Sequence, residues 1–382
     1  MPERNINNPS AIAGAIAMMV LVPMFFLVMP VYVGALADDL GFAIAAIGRL
    51  ISIELGAAAL ASLTALYWLR RVNWSRTLRW LVVSLCAANI ASILVGGDYA
   101  SLLAVRAFAG FFAGAIMAIA VAALGDTEHQ DRNFAYGVIG QLSVSGILIV
   151  ALPWFIERWG VVSVFALFLA AAAVALPMTR LVPVAGKPHE SGTIVGKGSL
   201  APLWGLLGSA CIFIAQAAVW AFIERMGVSA GLSPALIGVA LGGSVIAGIG
   251  GAFAASWLIE RFDRLALMIV AMVGEIVCLL ALLDGFSVAV YVTVVFLYSV
   301  FWNFWLPFQL GVIAEVDVSG RFVALITFSQ AAGIAIGPAI VAPFLRDENY
   351  DPVVWAGIIF AALAMLLFLP ITMNTKRNAY ES

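Results

Sequence analysis

Charge is what this sequence lacks most. Of its 382 residues only 19 are Lys or Arg and 21 are Asp or Glu, 10% together, where a soluble domain carries about a quarter. With 64% apolar residues and a mean hydropathy of +1.09, the chain cannot dress itself in a solvated surface, and it offers no basic face to nucleic acid. Cysteine is scarce too. Cys86, Cys211 and Cys278 each fall inside an apolar run, and an odd trio so placed excludes a disulfide framework and a metal cluster. The two histidines, His129 and His189, fall in loops. With no nucleophile–base pair, phosphate-binding loop or metal-ligand spacing, neither enzyme chemistry nor a cofactor is expected.

Long apolar runs are what the chain has instead. Twelve approach or exceed the ~20 residues that cross a bilayer core of about 30 Å: roughly 11–36, 43–69, 78–96, 100–124, 134–156, 160–181, 203–223, 234–259, 265–283, 286–313, 322–345 and 353–373. They are too long and too uniformly apolar for barrel strands, so the backbone must be helical. The chain reads as an all-α polytopic protein of the lipid bilayer. Its first run is too long, and has no small-residue cleavage pattern, for a removed leader.

Basic residues set the orientation. If the N-terminus is inside, cytoplasmic segments hold Arg4, Arg70, Arg71, Arg76, Arg79, Arg132, Arg180, Lys187, Lys197, Arg261, Arg264, Arg321, Lys376 and Arg377. Outer loops hold only Arg158, Arg225 and Arg346. The positive-inside rule therefore places both termini in the cytoplasm of a cell-membrane protein.

The longest polar connection, residues 182–202, is rich in Gly, Pro and Ser and reads as a cytoplasmic linker. It separates residues 1–181 from 203–382, and the two sides resemble each other. "LGFAIAAIG" (40–48) lies over "AGLSPALIG" (230–238) at an offset of 190. The same offset sets "RRVNW" (70–74) on "ERFDR" (260–264), and at 189 "DTEHQDR" (126–132) lies on "EVDVSGR" (315–321). Shared order and near-constant offset indicate a duplicated bundle of six helices.

These features resemble the major facilitator superfamily of transporters, along the whole chain. Ser256, Glu260, Arg261, Asp263 and Arg264 give an altered copy of the family's G-x-x-x-D-R-x-G-R loop signature. In the first half Leu66, Arg70, Arg71, Asn73 and Trp74 keep only one Arg of it. Arg106 and Gly110 match the family's fourth-helix pattern, with Gly114 beyond, and "GIAIGP" (333–338) is similar to an antiporter motif displaced to the eleventh run. The resemblance implies two pseudo-symmetric six-helix bundles that alternate access to a central cavity. It also implies a cytoplasmic gate of Arg71, Asp126, Glu260, Arg261, Asp263, Arg264 and Glu315, with Arg261 reaching Glu315 and Arg71 reaching Asp126 when the inner side closes. The plainer alternative is that the positive charges only anchor the turns.

Ionisable groups inside membrane helices are costly and read as functional by default. Arg49 and Glu54 lie in the second run, Arg106 in the fourth and Glu275 in the ninth. Arg49 and Glu54, about 140° apart around a helix, do not pair with each other; Glu54 is expected to face Arg106. The functional reading makes Arg106 and Arg49 anion-binding or coupling groups and Glu54 the leading proton carrier, with Glu224 and Glu275 behind it. The plainer one is a static ion pair. In the family the first, fourth, seventh and tenth helices line the cavity. Three stripes at helical spacing then supply a solute lining: Phe25 and Tyr32; Phe213, Gln216 and Trp220, with Glu224 beyond; and Tyr298, Trp302, Trp305 and Gln309. Packing or an interfacial belt is the alternative.

The expectation is thus a secondary active, proton-coupled transporter of a small amphipathic or aromatic, anionic organic solute, working as a monomer. An exporter of hydrophobic drugs is the runner-up, and a non-transporting sensor or scaffold the reading from another class.

Overall fold

The computed structural model describes residues 6–185, 200–283, 285–316, 321–345 and 349–381. Arg4, Lys187, His189, Lys197 and Arg346 lie outside the described residues, as do the side chains of Arg321, Lys376 and Arg377. Every long element among them is helical, because a chain in hydrocarbon must satisfy its backbone hydrogen bonds within each segment.

The first unit, Met1–Ser191, holds α1 (Pro9–Leu21), α2 (Met24–Leu27), α3 (Met29–Leu40), α4 (Ile44–Trp68), α5 (Trp74–Val95), α6 (Tyr99–Gly125), α7 (Gln130–Trp159) and α8 (Val162–Ala175). The second, Gly192–Ser382, holds α9 (Ala201–Ser229), α10 (Pro234–Leu258), α11 (Arg264–Leu280), α12 (Val288–Val316), α13 (Arg321–Val341) and α14 (Asp351–Glu381). Among the described residues, eleven helical segments are long and apolar enough to cross a membrane. The run left out is the ninth, α11, only 17 residues, whose start Asp263 caps by accepting a bond from the Ala266 N–H; that length is the lower limit for a span.

The first apolar run, expected to be one helix, is three. Pro23 and Pro30 remove backbone donors, so α1 stops at Leu21 and helix resumes at Met24 and again at Met29. Gly41, in the left-handed conformation at φ 64°, then ends α3. Pro307, by contrast, lies inside an uninterrupted α12. The start of the expected linker also proves to be docked structure: Val182 is buried in the first unit's core, and the Val184 carbonyl accepts from the Trp74 N–H at 2.8 Å.

Each unit has its own core. Met18, Trp74, Leu78, Ile116 and Ile119 centre the first, and Phe213, Met268, Trp305, Phe308 and Phe368 the second. Lipid gives no hydrophobic drive between helices, so small residues that admit close backbone contact decide the pairings. On α6, a Cβ at Gly110 would run into the Glu54 carbonyl of α4, and one at Gly114 into that of Ala58. The second unit repeats this seam between α10 and α12, where a Cβ at Gly248 would strike the Asn303 amide and one at Gly251 the Val300 carbonyl. Ala58 and Gly248, and Gly114 and Asn303, are related by the offsets found in the sequence, so the seam is duplicated while the glycines have changed partners. The "GIAIGP" motif has the same use: Gly333 and Gly337 let α13 approach the Ala210 and Ile214 carbonyls of α9.

Gly114→Ala and Gly251→Ala should each destabilise the purified protein by about 1–3 kcal/mol through overpacking. Gly125→Ala, with open space around it, should be near neutral. Thermal melts in one detergent compare the three; equal effects would show that the close seams do not limit stability.

Candidate functional site

The first unit carries a buried ionic cluster built from three helices. Glu54 projects from α4, Asn89 from α5 and Arg106 from α6, each less than a twentieth exposed. Arg106 donates through Nε to Glu54 Oε2 at 2.9 Å and through Nη2 to Glu54 Oε1, a two-pronged pair. Its Nη1 donates to Asn89 Oδ1 at 2.9 Å, while Asn89 Nδ2 donates to the Leu85 carbonyl at 3.0 Å. Three rings surround the cation: its central carbon lies 5.5 Å from the centre of Phe25, 5.6 Å from Phe165 and 5.9 Å from Phe168, within cation–π range. Tyr32 meets Phe25 and Phe165 edge-on, and its buried hydroxyl has no hydrogen-bond partner. A cavity of about 30 Å³, bordered by Phe25, Glu54, Asn89, Arg106 and Phe168, has room for a water molecule.

The structure thus brings Glu54, Arg106, Phe25 and Tyr32 together, and it leaves Arg49 apart. Arg49 is exposed on α4, as its angular separation from Glu54 requires. Asn89, Phe165 and Phe168 were not anticipated. Asn89 was legible by the signal that marked Gln216 and Gln309, an amide within an apolar run, whereas the two phenylalanines have no signal among so many apolar residues.

The second unit also holds a buried carboxyl, on a different helix and beside an amide rather than an arginine. Glu275 of α11 is fully buried, and Gln216 Nε2 of α9 donates to its Oε1. Glu275 Oε2, Gln216 Oε1 and the Tyr298 hydroxyl of α12 are buried without a hydrogen-bond partner. The α12 stripe does not face one target. Tyr298 stands beside Glu275, Trp302 meets Phe213 and Trp220 edge-on at 6.4 and 6.5 Å, and Trp305 packs against Phe368 of α14 inside the core. Gln309 is buried with both amide atoms unpartnered. Glu224 pairs at 2.7 Å with Arg225. Arg225, expected in an outer loop, belongs instead to the buried end of α9, and Arg158 belongs to the last turn of α7.

The loop charges pair in a register different from the one expected. Asp126, the C-cap of α6, is held through both oxygens by Arg70, at 2.5 and 3.0 Å, while Arg71 is exposed. Arg264, not Arg261, donates to Glu315 at 2.7 Å. Arg261 lies in the turn and folds back over the Trp257 ring at 3.7 Å, one helical turn earlier, whereas Arg264 is the first residue of α11 and faces the end of α12. Asp263 acts as a helix cap, and Glu260 is exposed. Each ion pair lies within its own unit: Arg70 joins the turn after α4 to the end of α6, and Arg264 joins the start of α11 to the end of α12.

A family model described as the Major Facilitator Superfamily matches residues 14–338. The chain belongs to the major facilitator superfamily. No curated protein sequence matches it, but solved superfamily-type transporters share its fold. A D-xylose–proton symporter has a TM-score of 0.74 at 13% identity, covering 94% of this chain and 96% of that one. A nucleoside transporter gives 0.70 at 12%, covering 95% and 98%. A bacterial homologue of the human lysosomal transporter Spinster, inward-facing and unoccupied, gives 0.69 at 12%, covering 96% and 98%. The superfamily chain is therefore a secondary transporter that spans the membrane many times and is not an enzyme.

Arg106→Ala leaves Glu54 buried without its cation and should cost about 3–5 kcal/mol; combining it with Glu54→Ala should recover much of that loss. A double-mutant cycle on melting free energies would show additive costs if the two did not interact. At the loop, exchanging charges as Arg264→Glu with Glu315→Arg should restore the stability lost in either single change, by up to about 1 kcal/mol. The exchange Arg261→Glu with Glu315→Arg should restore none.

Proposed function

We propose that this transporter carries a small amphipathic or aromatic organic solute bearing an anionic group, coupled to protons. The observation that supports this most directly is the Arg106 cluster, a cation enclosed by aromatic rings whose one counter-charge is a titratable carboxyl. While Glu54 is ionised it occupies two N–H donors along one edge of the guanidinium. A proton on Glu54 would release those donors to the solute's carboxylate or similar anion, and Phe25, Phe165 and Phe168 would pack against its apolar body. Expulsion of the solute and return of Glu54 would then accompany loss of the proton. The coupling lies in this competition, since solute and carboxylate cannot hold the same donors at once. The xylose symporter of like fold is named as proton-coupled, which agrees with this reading at the level of the fold alone. We place the chain in the cell membrane as a functional monomer with both termini cytoplasmic, supported by its basic residues.

A second reading, export of hydrophobic drugs, is favoured by one fact: all three nitrogens of Arg106 already donate to Glu54 or Asn89. On that reading the pair is scaffold, and only the aromatic lining meets solute.

Thermal-shift screening with aromatic acids, aromatic amines and neutral aromatic drugs separates the two. A ligand at 100 times its Kd should stabilise by about 2.7 kcal/mol. Acids should stabilise the wild type; stabilisation by amines or neutral compounds alone would overturn the anion reading. With an acid so identified, Glu54→Gln should abolish proton-driven accumulation in vesicles and keep solute exchange. Unchanged pH dependence would remove Glu54 from coupling.

A further inference from the structure

We propose that Glu275 is a second proton-binding carboxyl, and that its proton decides whether Gln216 shows a hydrogen-bond acceptor or a donor to its surroundings. The role in a transport cycle rests on the proton-coupled reading above; the binding of the proton does not.

The geometry is specific. Glu275 lies among α9, α11 and α12, and no cation faces it among the described residues. From α9 comes the Gln216 amide, from α12 the Tyr298 hydroxyl, and on its own helix the titratable neighbour is Cys278. The remaining neighbour of α11 is α14, which has no ionisable residue between Val353 and Met373. The first unit answers its buried carboxylate with Arg106; the second answers Glu275 only with neutral groups. A carboxyl so enclosed exchanges a proton rather than holding a permanent charge.

Three unpartnered polar atoms gather at this point: Glu275 Oε2, Gln216 Oε1 and the Tyr298 hydroxyl. Donors and acceptors can be matched in two ways. With Glu275 ionised, Gln216 Nε2–H and the Tyr298 hydroxyl both donate to it, and Gln216 Oε1 turns away as an acceptor. When a proton from the aqueous phase adds to Oε1, the oxygen that Gln216 faces, the Nε2–H bond to it breaks and the new O–H needs an acceptor; Gln216 supplies one by rotating its amide so that its own Oε1 faces Glu275, while the Tyr298 hydroxyl donates to Oε2. The Nε2–H pair then points where Oε1 pointed. No other bond changes. Gln216 lies between Phe213 and Trp220 on α9, whose rings both meet Trp302. The proton on Glu275 therefore sets the polarity of the amide that lies between these two rings along α9.

Infrared difference spectroscopy tests this on the full-length protein in phosphatidylcholine vesicles, titrated in pH without any solute. Expected is a titrating carboxylic-acid carbonyl band that is lost in Glu275→Gln, persists in Glu54→Gln and shifts in Tyr298→Phe. It should be accompanied by an amide side-chain change that Gln216→Ala removes. A band that persists in Glu275→Gln overturns the proposal, and so does a titration displaced by sodium ions. Should Glu275→Gln fail to fold, Tyr298→Phe decides: an unshifted band overturns the site. A titrating Glu275 together with pH-independent accumulation of the acid identified by thermal shift would support this site and overturn the coupling reading instead.

Discussion

The contact on which the first unit depends is the backbone-to-backbone seam between α4 and α6. Gly110 and Gly114 leave out side-chain carbons that would collide with α4, and the carbonyls of Glu54 and Ala58 fill the space. That approach sets the site. It carries the Glu54 side chain to Arg106, one turn before Gly110 on α6, close enough for both carboxylate oxygens to be engaged. A wider seam would leave a carboxylate and a guanidinium each half-satisfied in hydrocarbon, where the cost of an unpaired charge is several times the worth of any one packing contact. Close packing and charge pairing are thus one constraint seen from two sides. Asn89 and the three phenylalanine rings complete it by occupying the remaining face of the cation.

Duplication preserved this geometry and discarded its chemistry. The α10–α12 seam repeats the α4–α6 seam at corresponding positions, yet the place of Glu54 is taken by Ser244, whose hydroxyl merely donates to the Leu241 carbonyl. The second unit holds its buried acid on a different helix, α11, against an amide and a phenol. The acid of the α4–α6 seam is therefore closed in an ion pair, whereas Glu275 stands among neutral hydrogen-bonding groups that remain incompletely matched, and the second unit's own buried ion pair, Glu224 with Arg225, lies elsewhere on α9. Helix packing tolerates this divergence because small residues set the seam, and polar side chains can change so long as each finds, or awaits, a partner.

The loop charges show the same economy of position. Arg70 with Asp126 ties the exit of the second transmembrane helix to that of the fourth, and Arg264 with Glu315 ties the entry of α11 to the exit of α12, each within its own bundle. Pairs of this exposure contribute little energy each. Their use is directional, since they hold a short polar turn against the two helix ends that flank it. Arg261 serves differently, lying over the Trp257 ring.

Composition and periodicity alone determined that the chain is helical and membrane-spanning, because hydrocarbon permits few other backbones. The internal repeat likewise disclosed two bundles, and the expense of intramembrane charge singled out Glu54, Arg106 and Glu275. Partners were another matter. Glu54 was legible as facing Arg106, since both were isolated charges in runs of related depth, but which arginine meets Asp126 or Glu315 depends on where a helix begins to within one residue. A shift of that size turns a side chain by about 100°. The breaks at Pro23 and Pro30 were foreseeable as kinks, while their division of the first span into three helices followed from packing. Phe165 and Phe168 could not be read at all, because nothing distinguishes a ring beside a cation from a ring in a core until the fold brings the cation to it.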